Sequence, residues 1–169
     1  MRLAALFILA ATVSLGLQSG ALHWLPTGLL IPDLILILAV DLGLKHHSVG
    51  AALMAFAMGL ATDALSGSRV GINAFTITLV FLLSYELSRH LWVTNEIVAS
   101  VVVFVAVMIK DFGVLTLTGS FEGLRRADAT MLRMVLTQAL LTALLSLLVF
   151  PLLDGCKRLL RLPARSERE

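Results

Sequence analysis

Five polar side chains stand where the surrounding sequence is apolar: Asp33, Asp63, Asn73, Lys110 and Asp111. Carboxylates and an ammonium at membrane depth are costly, and such groups face a bundle interior and pair with one another or serve a proton or ion path. Paired, they are ties between helices; left titratable beside a cavity, they are acid–base chemistry. Other chemistries lack their residues. His23, His46, His47 and His90 fall at the ends of apolar runs, without an accompanying Cys, Asp or Glu set at metal-ligand spacing. Neither a phosphate-cradling Walker loop nor a serine elbow with a placed base is present, and Ser66-Gly67-Ser68 has the chemistry of a turn. The residues therefore predict no catalysis, no cofactor and no metal.

The elements that position these groups are helices in a membrane. The chain has 169 residues, 59% of them hydrophobic and only 14% charged. Its mean hydropathy is +0.96. That is too few charges to coat a soluble domain. A bilayer core of about 30 Å needs about 20 helical residues, and six runs approach this: 3–22, 29–44, 49–65, 70–87, 97–117 and 131–153. They form one integral membrane domain over 1–169, with a basic tail at 157–169. The apolar N-terminal run is read as a retained first helix rather than a signal peptide. Cys156, alone of its type, is read as an inert thiol beside Lys157 and Arg158. With six spans, Arg2, Lys45, Arg89, Lys157, Arg158, Arg161, Arg165 and Arg168 share one side. Arg69, Arg125, Arg126 and Arg133 take the other. That bias puts both termini in the cytoplasm.

On this topology the five polar groups occupy the outer half. Pro32 and Asp33 suit a helix N-terminus, where a missing N–H is harmless and a carboxylate meets the positive end of the dipole. Lys110 is seven residues before Leu117, about 10 Å below that helix end. It is expected to reach Asp63 or Asp33, tying the fifth helix to the second and third, with snorkelling to the interface as the alternative. Adjacent Lys110 and Asp111 point apart and do not satisfy each other. Two stripes recur every four residues. Ala51, Ala55 and Gly59 lead to Asp63, and small residues at this spacing admit a close neighbouring helix, whether the chain's own or a partner's. Gln138, Thr142 and Ser146 form a polar line expected to face helices rather than lipid.

Pro32-Asp33 opening a span, followed by the run from Gly59 to Ala74 with its core Asp63-x-x-Ser66-Gly67-Ser68-x-x-Gly71 and then Asn73, resembles the bacterial rod shape-determining MreD family. The resemblance is close over residues 31–85 and rests on hydropathy and length elsewhere; Lys110-Asp111 lies outside its pattern. It implies a six-helix transmembrane bundle similar to the substrate-binding S components of energy-coupling-factor transporters. It also implies a non-catalytic inner-membrane component of the cell-elongation machinery. Its partner would be an MreC-type protein and, through it, MreB, RodA and the elongation transpeptidase. Membrane lipid is a further partner, nucleic acid is not, and a homodimer stays open.

The competing class is a small-molecule binder, the vitamin-capturing S component itself. Against it, only His23, Trp24 and Phe121 are in view on the outer loops to close over a ligand. An enzyme of lipid or wall-precursor chemistry would have to use Asp63 with Asp33 or Lys110. Saturable vitamin uptake separates the binder from a scaffold, whose loss would abolish rod shape.

Overall fold

A computed structural model describes residues 2–24, 32–66, 71–90, 95–117 and 129–159. These form six helices: α1 (Arg2–Trp24), α2 (Leu34–Lys45), α3 (Val49–Ser66), α4 (Ile72–His90), α5 (Glu96–Leu117) and α6 (Ala129–Leu159). The order and approximate positions follow the apolar runs, with two differences. The second helix begins only at Leu34, because Asp33 caps it: the carboxylate accepts a hydrogen bond from the Leu36 N–H at 3.0 Å. The last helix continues through Lys157 and Arg158 to Leu159 instead of ending before a basic tail. Gly67, Ser68, the 118–128 connection and residues 160–169 lie outside the described residues.

The architecture is organised around α2. This helix has 12 residues, about 18 Å of length. Every residue from Ile35 to Leu44 is buried, and α1, α3, α4, α5 and α6 all pack against it. Its two sides feed two apolar clusters. Ile35, Leu38, Ala39 and Leu42, at helical spacing, join Phe7 and Ala11 of α1, Ala51, Ala55 and Met58 of α3, and Ile77 and Phe81 of α4. Leu36, Ile37, Val40 and Leu44 join Val103, Ala106 and Val107 of α5 with Ala139 and Phe150 of α6. Around this core, α3 packs most extensively on α4, and α5 on α6.

The outer surface carries many large apolar side chains. Leu53, Val101, Leu140, Leu144, Leu148 and Leu152 are all exposed, the arrangement of a bundle solvated by lipid rather than water. Among the described residues three stretches are long and apolar enough to cross a bilayer by themselves: Val49–Ser66, Glu96–Val114 and Leu132–Leu159. A shorter apolar stretch, Ala4–Gln18, lies in α1. The central α2 is shorter than a bilayer core and is shielded by its neighbours, so its own length does not decide where it lies.

Glycine sets the closest approaches. A Cβ on Gly59 would stand 2.4 Å from Ala74 Cα and 2.8 Å from the Ala74 nitrogen, so α3 and α4 touch backbone to backbone there. At Gly43 it would stand 2.7 Å from the Phe81 carbonyl oxygen, bringing α2 equally near α4. A Cβ on Gly16 would meet nothing within 4 Å among the described residues. Gly59→Ala is therefore expected to destabilise the protein by about 1–3 kcal/mol through overpacking against backbone that cannot rotate away. Gly16→Ala is expected to leave it unchanged or slightly firmer. Thermal unfolding of the two variants in detergent measures the contrast.

Candidate functional site

Asp63 lies in the last turn of α3 and is 1% exposed. Its carboxylate is nonetheless saturated. Oδ2 accepts the Gly71 N–H at 2.8 Å and the Ala74 N–H at 3.1 Å. Oδ1 accepts the backbone N–H and the side-chain amide of Asn73, both at 3.0 Å. One helix thus caps the next: the carboxylate of α3 satisfies the orphan donors at the start of α4 and meets the positive end of its dipole. Gly71 supplies the backbone this needs, with φ of 101° in the left-handed region. Ser66 donates back to the Asp63 carbonyl at 3.4 Å. These four contacts turn the acid toward the start of α4.

A second constellation gathers at the beginning of α2. Lys110 of α5 pairs with the carboxylate of Asp33, so of the two acids within expectation it takes Asp33, while Asp63 serves α4. The Asp33 N–H donates to Thr142 Oγ1 of α6 at 3.2 Å, and Gln18 of α1 donates to the Pro32 carbonyl at 3.1 Å. Four helices meet at this point. The Asp111 Oδ2 is buried without a hydrogen-bond partner among the described residues.

The two spaced stripes face inward. Ala51, Ala55 and Gly59 are buried within the chain's own bundle, beside α1, α2 and α4. Thr142 and Ser146 are fully buried. Thr142 donates to the Gln138 carbonyl at 2.8 Å, and Ser146 donates to Ser100 of α5 at 3.1 Å. Gln138 itself is half-buried.

At the opposite end of α2 stands a charged quartet that the sequence reading passes over. Asp41, wholly buried, pairs with wholly buried Lys157 at 2.5 Å and with Lys45 at 2.9 Å. Lys45 also binds Asp154 at 2.7 Å, and Asp154 stands 3.6 Å from Lys157. The Lys157 ammonium lies 5.2 Å from the Phe7 ring centre of α1, and that of Lys45 lies 5.5 Å from Phe150, within cation–π range. Lys157 is thus an interior residue, not part of a solvated basic tail. His46, in the connection after α2, packs edge-on against Phe7 at 6.0 Å. Burial, with Lys157 beside it, pushes the imidazole down to about 4, so it is neutral at ordinary pH. Two signals for the quartet were available: Asp41 and Lys45 at i,i+4, and Asp154 and Lys157 at i,i+3.

Chemically, these constellations pair acid with base or acid with N–H, and each includes partners from different helices. They hold helices together. Among the described residues no group of three or more His, Cys, Asp or Glu side chains is arranged to hold a metal ion.

Removing the cap exposes what it does. Asp63→Ala removes the acceptor of the half-buried Gly71 and Asn73 N–H groups and of the buried Ala74 N–H, at about 1–3 kcal/mol for a fully buried orphaned group. It is expected to lower the unfolding temperature sharply, whereas Asn73→Ala, which spares the backbone donors, is expected to lower it much less. Unfolding temperatures in detergent test the ranking.

Comparison with known proteins matches residues 1–155 to the family model described as rod shape-determining protein MreD. No curated protein matches the chain, and no solved structure does.

Proposed function

The chain belongs to the MreD family of rod shape-determining proteins, and from that premise we propose that it is a non-catalytic scaffold of the bacterial cell-elongation machinery. In this reading it lies in the inner membrane, crosses it six times and keeps both termini in the cytoplasm. It binds an MreC-type protein laterally and, through it, works with MreB, RodA and the elongation transpeptidase in lateral wall synthesis. Its fold is read as similar to the six-helix S components of energy-coupling-factor transporters.

The observation that carries the reading is the family match over 1–155. The geometry supports a scaffold in two ways. The carboxylates of Asp33, Asp41 and Asp63 are engaged in ties between helices, and many large apolar side chains face outward. Asp33, Asp63, Ser66, Gly71 and Asn73 act as the rigid frame in this proposal, together with Gly67 and Ser68 of the motif. Ala51, Ala55, Gly59, Gln138, Thr142 and Ser146 serve packing within the bundle. Partner contact then falls to exposed flanks such as Leu83 and Val101 on α4 and α5, or Ile8 and Leu53 on α1 and α3.

Depletion in the native host is expected to turn rods into rounded cells. Photo-crosslinkers at Leu83, Val101, Ile8 and Leu53 are expected to trap an MreC-type protein from at least one flank. Retained rod shape on depletion contradicts the role; rod loss with no such adduct from any flank contradicts lateral docking.

A further inference from the structure

The central helix is poorly equipped to cross a bilayer alone. At 12 residues it measures about 18 Å, against a hydrocarbon core of about 30 Å. Both of its charged ends cannot therefore reach water together. Asp33 caps its start, while Asp41 and Lys45 occupy its final turns, so two carboxylates share one ammonium within the segment. That ammonium is itself shared with Asp154 of α6.

The missing charge arrives from far along the chain. Lys110 of α5, 77 residues beyond Asp33, pairs with it. Lys157 of α6, 116 residues beyond Asp41, pairs with that acid at 2.5 Å. Thr142 of α6 receives the Asp33 N–H. The apolar faces of α2 are likewise covered by the other five helices and by no exposed surface of its own.

We propose that α2 holds its place across the membrane only because later helices bring its counter-charges, Lys110 of α5 and Lys157 of α6 acting as topological keys. An isolated charge at membrane depth is excluded, while a paired one is tolerated. Residue 157 thus decides the sidedness of the connection between α2 and α3.

Sidedness can be read directly. Val49, at the start of α3, is 80% exposed. It lies just beyond the α2 end that carries Lys45, and Lys45 touches Asp154 near the end of α6. In the full chain with Cys156→Ser, a Val49→Cys thiol is expected to react with a membrane-impermeant maleimide from the face that also exposes native Cys156. Lys157→Met is expected to raise labelling from the opposite face several-fold. Asp41→Leu with Lys157→Met, which removes acid and base together and leaves Lys45 paired with Asp154, is expected to restore both the amount of protein and its sidedness. Labelling of Lys157→Met indistinguishable from the parent overturns the proposal. So does a double variant no better than Lys157→Met, and that comparison decides even where the single variant is cleared from the membrane. Alkaline extraction of the parent chain separately tests membrane integration, on which the proposal rests.

Discussion

Two carboxylates, one capping a buried 12-residue helix and one near its end, each with a counter-ion on another helix, set the terms for the rest of this structure. In an apolar medium an unpaired charge destabilises by several kcal/mol, whereas a paired and hydrogen-bonded one is tolerated. Pairing Asp33 with Lys110 fixes the depth and rotation of α5. Pairing Asp41 with Lys157, and Lys45 with Asp154, fixes the final turns of α6. Dispersion and packing alone would let smooth apolar helices slide past one another. Charges at both ends of α2 specify a register, the best-attested use of buried polar groups.

The third polar element works locally. Asp63 closes the connection between α3 and α4 by capping the second helix from the end of the first, and Gly59 lets the two backbones meet close to that cap. Asp63, Gly71 and Asn73 of the family motif thereby have a geometric account. Its acid receives N–H groups, its glycine supplies a positive φ, and its asparagine adds one more donor. The result is a stiff interior inside an apolar envelope, suited to a role in rod shape determination exercised through the membrane.

How much could be read in advance depended on where each partner lay in the sequence. Asp63 stood out as a carboxylate between two apolar runs, but its donors, 8 to 11 residues further on, emerged only with the fold. Lys110 stood out because an ammonium in the middle of an apolar run needs an acid, although two acids competed and only the fold chose Asp33. The inward direction of Thr142 and Ser146 followed from their spacing. Asp41, inside the 29–44 run and four residues before Lys45, was passed over because its buried partner is 116 residues away. Lys157 was misread as tail because its neighbours Arg158 and Arg161 are basic; burial depends on what α1 and α2 place against it. The length of α2 was overestimated because residues before Pro32 are as apolar as those after Asp33.

The central claim is that charge pairing, rather than apolar contact, fixes the register around α2. A double-mutant cycle on Asp33 and Lys110 tests it most directly, using reversible unfolding in mixed micelles of the parent, Asp33→Asn, Lys110→Met and the double variant. If pairing governs, each single change costs about 3–5 kcal/mol, because it strands a buried charge. The double variant is then expected to be more stable than the sum of the singles implies, with a coupling of about 1–3 kcal/mol. Additive losses, with no coupling between the two positions, would contradict the account.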